Sequence, residues 1–402
     1  MHGFAERAEV ATVLQWIDAH AIRLGDEDVA LDNAAGRVLA ADTVAPLDVP
    51  AFDRSAMDGY AVQAAATTGA SDYNPLPFAV VGQALPGHAY AGTATAGSAV
   101  RVMTGAPIPA GTDAVVPAEY ATEADGQVRI TQAVSPGKHI GLRGEDIRAG
   151  SVALSAGRRL RPQDLGLVSS LGIARLAVVG RPRVRLIVTG NEIVGPGQPK
   201  APNQIYDANS AVLKGLLARD GGVLEKHLRL GDDPAVIREA LGAPGADVIL
   251  VSGGSSVGSE DHAPRLLAEI GELAIHGVAM RPSSPAGVGR IGDTLVFLLP
   301  GNPVSCLCAY DFFAGRAIRL RGGRKGDWPH ATRRAVLARK IASAAGRVDY
   351  CRVRFDGDLL EPLALSGASV LSSTVRADGF VVVPSESEGF AAGAEVTVYL
   401  YD

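Results

Sequence analysis

The chain has 402 residues, with 38 Lys and Arg against 43 Asp and Glu, and so a formal net charge of −5. That balance excludes a generally basic nucleic-acid binder, because phosphate backbones are held by clustered excess cations. Hydrophobic residues at 47% and charged residues at 20% exclude disorder as the default and predict a folded chain of more than one domain, at roughly 100–200 residues each.

The N-terminal stretch MHGFAERAEVATVLQW has mixed charge and no uninterrupted apolar run, so no secretory peptide is read in it. From Glu9 to Ala19, Val10, Val13, Leu14 and Ile17 share one helical face. The chain is then punctuated by Pro46, Pro50 and Gly59. From about Pro75 to Leu154, short β-like runs (PFAVVGQAL, SAVRVMTG, GQVRITQAV) separated by Gly, Pro and Asp predict a small β domain.

A different rhythm begins at Arg181. Strand candidates Val184–Val188, Val223–Leu228, Val248–Val251 and Thr294–Leu299 alternate with helical stretches near Asn209–Arg219, Pro234–Leu241, His262–Ile270 and Pro303–Ala317. This alternation predicts βαβ units and a mostly parallel sheet covered on both faces. Asp233 before Pro234, and Asn302 before Pro303, each place a capping side chain ahead of a proline suited to the first helical position. Beyond Arg324-Lys325-Gly326-Asp327, VDYCRVRF, GFVVVPSE and AEVTVYLY predict a second β domain. The longest apolar run, Thr294–Leu299, suits a buried strand and falls far short of the ~18 residues of a membrane span, so no membrane partner is expected. Cys306, Cys308 and Cys351 cannot all pair and form no CxxC, which points to a reducing compartment, the cytoplasm.

In open α/β sheets, ligands bind beyond the carboxyl ends of the strands. There the chain reads Thr189-Gly190-Asn191-Glu192, Ser252-Gly253-Gly254-Ser255-Ser256-Val257-Gly258 with Glu260-Asp261, and Leu299-Pro300-Gly301-Asn302-Pro303-Val304-Ser305. The Gly/Ser segment opens towards a helix and suits an anionic group lying on backbone N–H donors. Glu192, Asp207, Asp232, Asp233 and Asp261 gather at the same edge, which fits a Mg²⁺ ion between carboxylates and phosphate oxygens. A second cluster, Asp53-Arg54-Ser55-Ala56-Met57-Asp58-Gly59-Tyr60-Ala61-Val62 with Met103-Thr104-Gly105-Ala106-Pro107, lies far from that rim in sequence. It is explained as catalytic if another copy of the chain brings it over the rim, which predicts a homodimer with composite sites.

DRSAMDGYAV (Asp53–Val62), VMTGAPIPAGTDAVVPAE (Val102–Glu119), RGEDI (Arg143–Ile147), TGNE (Thr189–Glu192), SGGSSVG with Asp261, and LPGNPVS (Leu299–Ser305) together resemble the signature segments of the molybdopterin molybdenumtransferase family. That family includes bacterial MoeA and the E domain of gephyrin and its plant counterpart. The resemblance runs from about Ala34 to the end and implies a multidomain α/β-plus-β chain. Its parts would be a bipartite N-terminal domain (1–50 and 145–180), an inserted β domain (51–144), a doubly wound molybdopterin-binding α/β domain (181–326) and a C-terminal β-barrel-like domain (327–402). It implies a homodimer that works with a molybdopterin adenylyltransferase and recipient molybdoenzymes. The implied reaction takes adenylylated molybdopterin and molybdate, depends on Mg²⁺, and releases AMP with molybdenum held by the pterin dithiolene. A carrier or scaffold that binds molybdopterin or finished cofactor without inserting metal is the alternative. A phosphoanhydride- or nucleotide-processing relative of the competence-damage proteins does not explain DRSAMDGYAV.

Carried over by motif position, the resemblance assigns Asp58, Thr104, Glu192 and Asp261 to catalysis, with Glu192 and Asp261 holding or orienting Mg²⁺. It assigns Gly253, Gly254, Ser255, Arg281, Ser284, Pro300, Asn302, Pro303, Asp146, Asp232 and Asp233 to substrate binding. Where the family commonly reads Lys-Pro-Gly-Lys-Pro, this chain has Arg281-Pro282-Ser283-Ser284-Pro285. Arg281 keeps a charge as a planar fork, whereas Ser284 loses a cation at a place where an oxyanion is attracted. Arg290 is a candidate to supply the lost cation. The residue before Glu192 is Asn191 in place of the usual Asp.

Overall fold

In the computed structural model, which describes residues 7–254, 261–364 and 367–401, the chain divides into two units. One contains residues 1–27, 36–40 and 177–402, and the other residues 28–35 and 41–176.

The strand candidates of the first unit form β1 (Arg183–Thr189), β2 (Val223–Leu230), β3 (Val248–Ser252) and β6 (Thr294–Leu299). Two strands not read from the sequence, β4 (Glu272–His276) and β5 (Gly287–Ile291), extend the sheet. The order is β2-β1-β3-β6-β5-β4, with the first four parallel and the last two antiparallel. The sequence hides β5 because it is glycine-rich: a Cβ on Gly289 would lie 2.0 Å from the Glu272 carbonyl oxygen, so the β4–β5 approach needs glycine where an apolar residue would have signalled a strand.

Continuous apolar runs follow from burial on both faces. Val248 and Leu250 of β3, with Leu295, Phe297 and Leu299 of β6, enter one core, while Ile249, Val251, Val296 and Leu298 enter the other. Each such side chain contributes about 1.5–3 kcal/mol on burial. The first core also receives α1 (Val10–His20) through Val13 and Ile17, both fully buried.

The crossover helices are α2 (Asn209–Asp220), α3 (Pro234–Gly242) and α4 (His262–Ile270). As expected, the Asp233 carboxylate accepts from the Ala235 N–H at 2.8 Å and caps α3. The last helical stretch is not uniform: α5 (Pro303–Ala309) passes into a π-turn at Tyr310–Ala314 and resumes as α6 (Gly315–Arg321). All five residues of the π-turn are buried, and the wider turn accommodates that load. Asn302 occupies the N-cap position of α5, but only its carbonyl serves the helix, accepting from the Cys306 N–H; its side chain makes no cap bond.

The C-terminal strands close on themselves. Strands 348–356, 359–364, 332–337, 395–400 and 379–383 pair in that order, and the last returns to the first. A fully paired barrel leaves no unpaired edge within the ring. The second unit contains a six-stranded sheet, in the order 114–117, 59–62, 98–102, 76–84, 127–130 and 121–124. No helix among the described residues is long and apolar enough to cross a membrane.

In the second unit, Asp164 is 3% exposed; it accepts from the Arg161 N–H at 2.9 Å and pairs with the Arg161 and Arg158 guanidiniums. The Arg161 side chain first, then Arg158, holds its carboxyl far below the usual range. Asp164→Ala is expected to lower stability by about 1–2 kcal/mol in urea unfolding at neutral pH. A depressed carboxyl stabilises the fold above its unfolded pKa, so the gap between wild type and variant is expected to close only as strong acid titrates the folded group.

Candidate active site

The strands end level with one another. Val188 pairs with Ser252 and Ser252 with Leu299, while Thr189 pairs with Leu230. The residues just beyond them therefore lie side by side and line a cavity of about 470 Å³. Thr189, Gly190, Glu192, Asp232, Gly253, Gly254, Asp261, Pro300, Gly301 and Asn302 all contribute to it. The sequence reading thus placed Glu192, Asp232, Asp261, Gly253, Gly254, Pro300 and Asn302 around a common space. Ser255, assigned to substrate binding, lies outside the described residues.

Close backbone approach builds this cavity. Gly253 has φ +94°, and a Cβ there would meet the Thr189 carbonyl oxygen at 2.4 Å. Its N–H donates to the Leu299 carbonyl at 3.3 Å. Gly253 therefore serves by admitting a close turn, and the expectation that its N–H faces a phosphate is corrected. Asn209 ties the second and third of these turns together: its Nδ2 donates to Ser252 Oγ and to the Gly301 carbonyl, each at 2.8 Å. Sequence reading missed Asn209; its only signal was a polar residue opening a helix after a short strand.

The carboxylates at this edge are not equivalent. Glu192 is exposed, and a Cβ on Gly190 would lie 2.7 Å from its Oε2, so the carboxylate folds back over that glycine. Asp232 and Asn191 brace each other: the Asn191 N–H donates to Asp232 Oδ2 at 3.1 Å, and the Asp232 N–H donates to Asn191 Oδ1 at 3.3 Å. A neutral amide here avoids like-charge repulsion beside Asp232. Asp207 is spent on α2, accepting from the Ser210 N–H at 2.9 Å and its hydroxyl at 2.5 Å. Asp233 is the α3 cap already described and lies off the cavity wall.

A second cavity of about 750 Å³ adjoins the first, sharing Pro285, Pro300 and Asn302. Among the described residues its charged lining is Arg7, Arg281 and Arg347, with no carboxylate. Behind it, Asp349 is fully buried and sits opposite Arg281 in parallel register. It pairs with Arg281, lies 3.1 Å from Arg347 Nε, and accepts from Ser343 Oγ at 2.7 Å. Arg281 Nε, Arg347 Nε and Ser284 Oγ are buried and make no hydrogen bond among the described residues. Buried donors without partners are rare in folded proteins; Arg347 Nε still faces the Asp349 carboxylate, which leaves Arg281 Nε and Ser284 Oγ without an acceptor among the described residues. Arg290, the candidate substitute cation, instead pairs with Glu272 at 2.7 Å on the β4–β5 edge and does not line this cavity. Pro303 is the half-buried first residue of α5.

In the other unit, the Asp58 carboxylate accepts from the Thr104 N–H at 2.7 Å and from its hydroxyl at 2.8 Å. These bonds, the backbone one first, hold an exposed carboxyl below its ordinary range. Asp146 is exposed, and its side chain makes no hydrogen bond among the described residues. All three cysteines are buried, which pushes the Cys306 and Cys351 thiols up to about 12 and Cys308 higher still. Protonated thiols are poor nucleophiles and metal ligands at neutral pH.

Fold and site together define a multidomain α/β protein whose strand ends carry an acidic chamber beside a basic one. Three family models match: "MoeA N-terminal region (domain I and II)" over residues 8–172, "Probable molybdopterin binding domain" over 185–319, and "MoeA C-terminal region (domain IV)" over 334–401. The molybdopterin molybdenumtransferase 2 of Mycobacterium tuberculosis is 38% identical over 382 residues, 92% of this chain and 94% of that one. The molybdopterin molybdenumtransferase of Haemophilus influenzae is 34% identical over 92% of each chain. The crystal structure of the molybdopterin biosynthesis MoeA protein from Pyrococcus horikoshii OT3 matches with a TM-score of 0.82 at 30% identity, over 98% of this chain and 100% of that one. The chain belongs to the molybdopterin molybdenumtransferase family and is a transferase of molybdenum cofactor biosynthesis.

Gly253→Ala is expected to destabilise the protein by about 1–3 kcal/mol, read by chemical denaturation, because the methyl meets backbone and the conformation disfavours L side chains. Asn209→Ala is expected to leave a folded protein with reduced transfer activity, measured as kcat/KM, since two turns lose their common donor.

Proposed function

We propose that the chain inserts molybdenum from molybdate into adenylylated molybdopterin, releasing AMP. The observation that carries this reading is the pair of chambers with a shared wall. One is rich in carboxylates and lies on backbone turns at the strand ends; the other is lined by arginines and unsatisfied donors. The phosphoanhydride belongs in the first and the tetrahedral oxyanion in the second, so that metal and dithiolene meet across Asn302.

The first chamber suits Mg²⁺ by its donor chemistry. Glu192, Asp232 and Asp261 offer hard oxygens to one space, yet among the described residues no three acidic, imidazole or thiol groups converge to cage an ion. Magnesium favours such a setting, keeping waters and substrate phosphate oxygens alongside one or two carboxylates. Glu192 and Asp261 would hold it, and when bound it neutralises negative charge on the anhydride oxygens. Gly254 and the Gly253 turn let the substrate approach the backbone closely. Arg281 and Arg347, aimed by Asp349, bind and orient the oxyanion, with Ser284 Oγ as a further donor.

On this reading Asp58 and Thr104 act on the cavity of a second copy in a homodimer. Asp58 stays ionised at neutral pH and is held in one orientation by Thr104. Met57 and Met103, exposed at 37% and 48% beside that pair, are side chains of the kind an interface covers. The four-part division by residues 1–50 with 145–180, 51–144, 181–326 and 327–402 remains our proposal for the domains, and the cytoplasm for the compartment. A molybdopterin adenylyltransferase would supply the substrate and molybdoenzymes would receive the product.

Purified protein given adenylylated molybdopterin, molybdate and Mg²⁺ is expected to release AMP in step with cofactor formation; tight binding without AMP would overturn the reading. Asp58→Ala is expected to lose roughly 100-fold or more in turnover while its thermal midpoint stays within the error of wild type, because the side chain is exposed.

A further inference from the structure

We infer that Arg7 is a third cation of the basic chamber and helps draw the tetrahedral oxyanion into it, an inference that rests on the oxyanion reading of that chamber. Arg7 lines the cavity together with Arg281 and Arg347. It lies in an N-terminal arm whose backbone is fixed at two points. The Ala8 N–H donates to the Gly277 carbonyl at 3.0 Å, and the Ala8 carbonyl accepts from the Ala279 N–H at 2.8 Å, forming a parallel bridge to Val278. Immediately after it, α1 is anchored by the fully buried Val13 and Ile17.

The same short segment carries the Ser284 turn. The Val278 N–H donates to the Ser284 carbonyl at 2.9 Å, so Arg7 and Ser284 hang from a common three-residue support. Ser284 contributes only a neutral hydroxyl to this wall, and Arg290, paired with Glu272, does not line it. Charge counting favours Arg7. Arg281 and Arg347 share a single carboxylate, Asp349, and are partly neutralised by it. Arg7 makes no ion pair among the described residues and is exposed. A solvated guanidinium at the mouth raises the local anion concentration and offers a fork of donors to a bound tetrahedral anion.

The test is calorimetric titration of the full-length chain with sodium molybdate, with sodium tungstate in parallel. Arg7→Ala is expected to weaken binding roughly threefold to tenfold, more at low ionic strength, and to raise the molybdate KM more than it lowers kcat. Arg7→Lys is expected to recover most of the affinity, as is Ser284→Lys placed in the Arg7→Ala background. Unchanged affinity in Arg7→Ala, while Arg347→Ala weakens binding, would overturn the role of Arg7 and leave the chamber's assignment standing. Unchanged affinity in both would overturn both. A loss in Arg7→Ala that tracks a lowered thermal midpoint, with no recovery in the double variant, would make Arg7 merely structural and overturn the inference.

Discussion

The site depends on one amide. Asn209 Nδ2 reaches Ser252 Oγ and the Gly301 carbonyl at once, joining the end of β3 to the turn that opens α5. The parallel register brings these ends level, but a level edge alone does not make a cavity. Two glycine turns must lie against each other, and Gly253 does so against Thr189 at a distance that no side chain would tolerate. The latch is made of neutral groups, so it holds its geometry without competing electrostatically with an anionic substrate. Burial of Asn209, at 8% exposure, shields those bonds from water and strengthens them.

Charge is segregated across that edge. Carboxylates face one chamber and arginines the other, with Pro285, Pro300 and Asn302 between them. The segregation has identifiable supports. Asp349 is fully buried and would be costly alone; it is stabilised by two guanidiniums, and in return it directs them towards the cavity. Asn191 gives Asp232 a neutral neighbour that still accepts its backbone N–H. The departures from the family pattern at positions 191 and 284 therefore differ in kind. The first retains its bracing contact, and the second leaves a neutral hydroxyl on the wall of the arginine-lined chamber.

Much of this was legible in the residues. The apolar runs of β1, β2, β3 and β6 and the helices that alternate with them, α3 and α5 started by proline, declared a parallel sheet, because two-sided burial leaves a continuous signal. Glu192, Gly253 and Pro300 could be singled out since each follows a strand within a few residues, and Asp261 since it stands directly before α4. By contrast, β4 and β5 carry too few consecutive apolar residues to stand out, and the π-turn at Tyr310–Ala314 looks in sequence like ordinary helix.

What the sequence alone determined is the alternation of strands and helices, the motifs at the strand ends, and membership in a family through six ordered segments. Tertiary structure alone decided which charges share a chamber. Arg7 stands far from Arg281 and Arg347 in the chain, and the three meet because the bridge between Ala8 and Val278 and a short parallel pairing bring their backbones together. Local propensity encodes each element within a window of a turn or two. Contacts between distant segments are set by which backbone edges remain open after the sheet has formed, and no window of the chain contains that information.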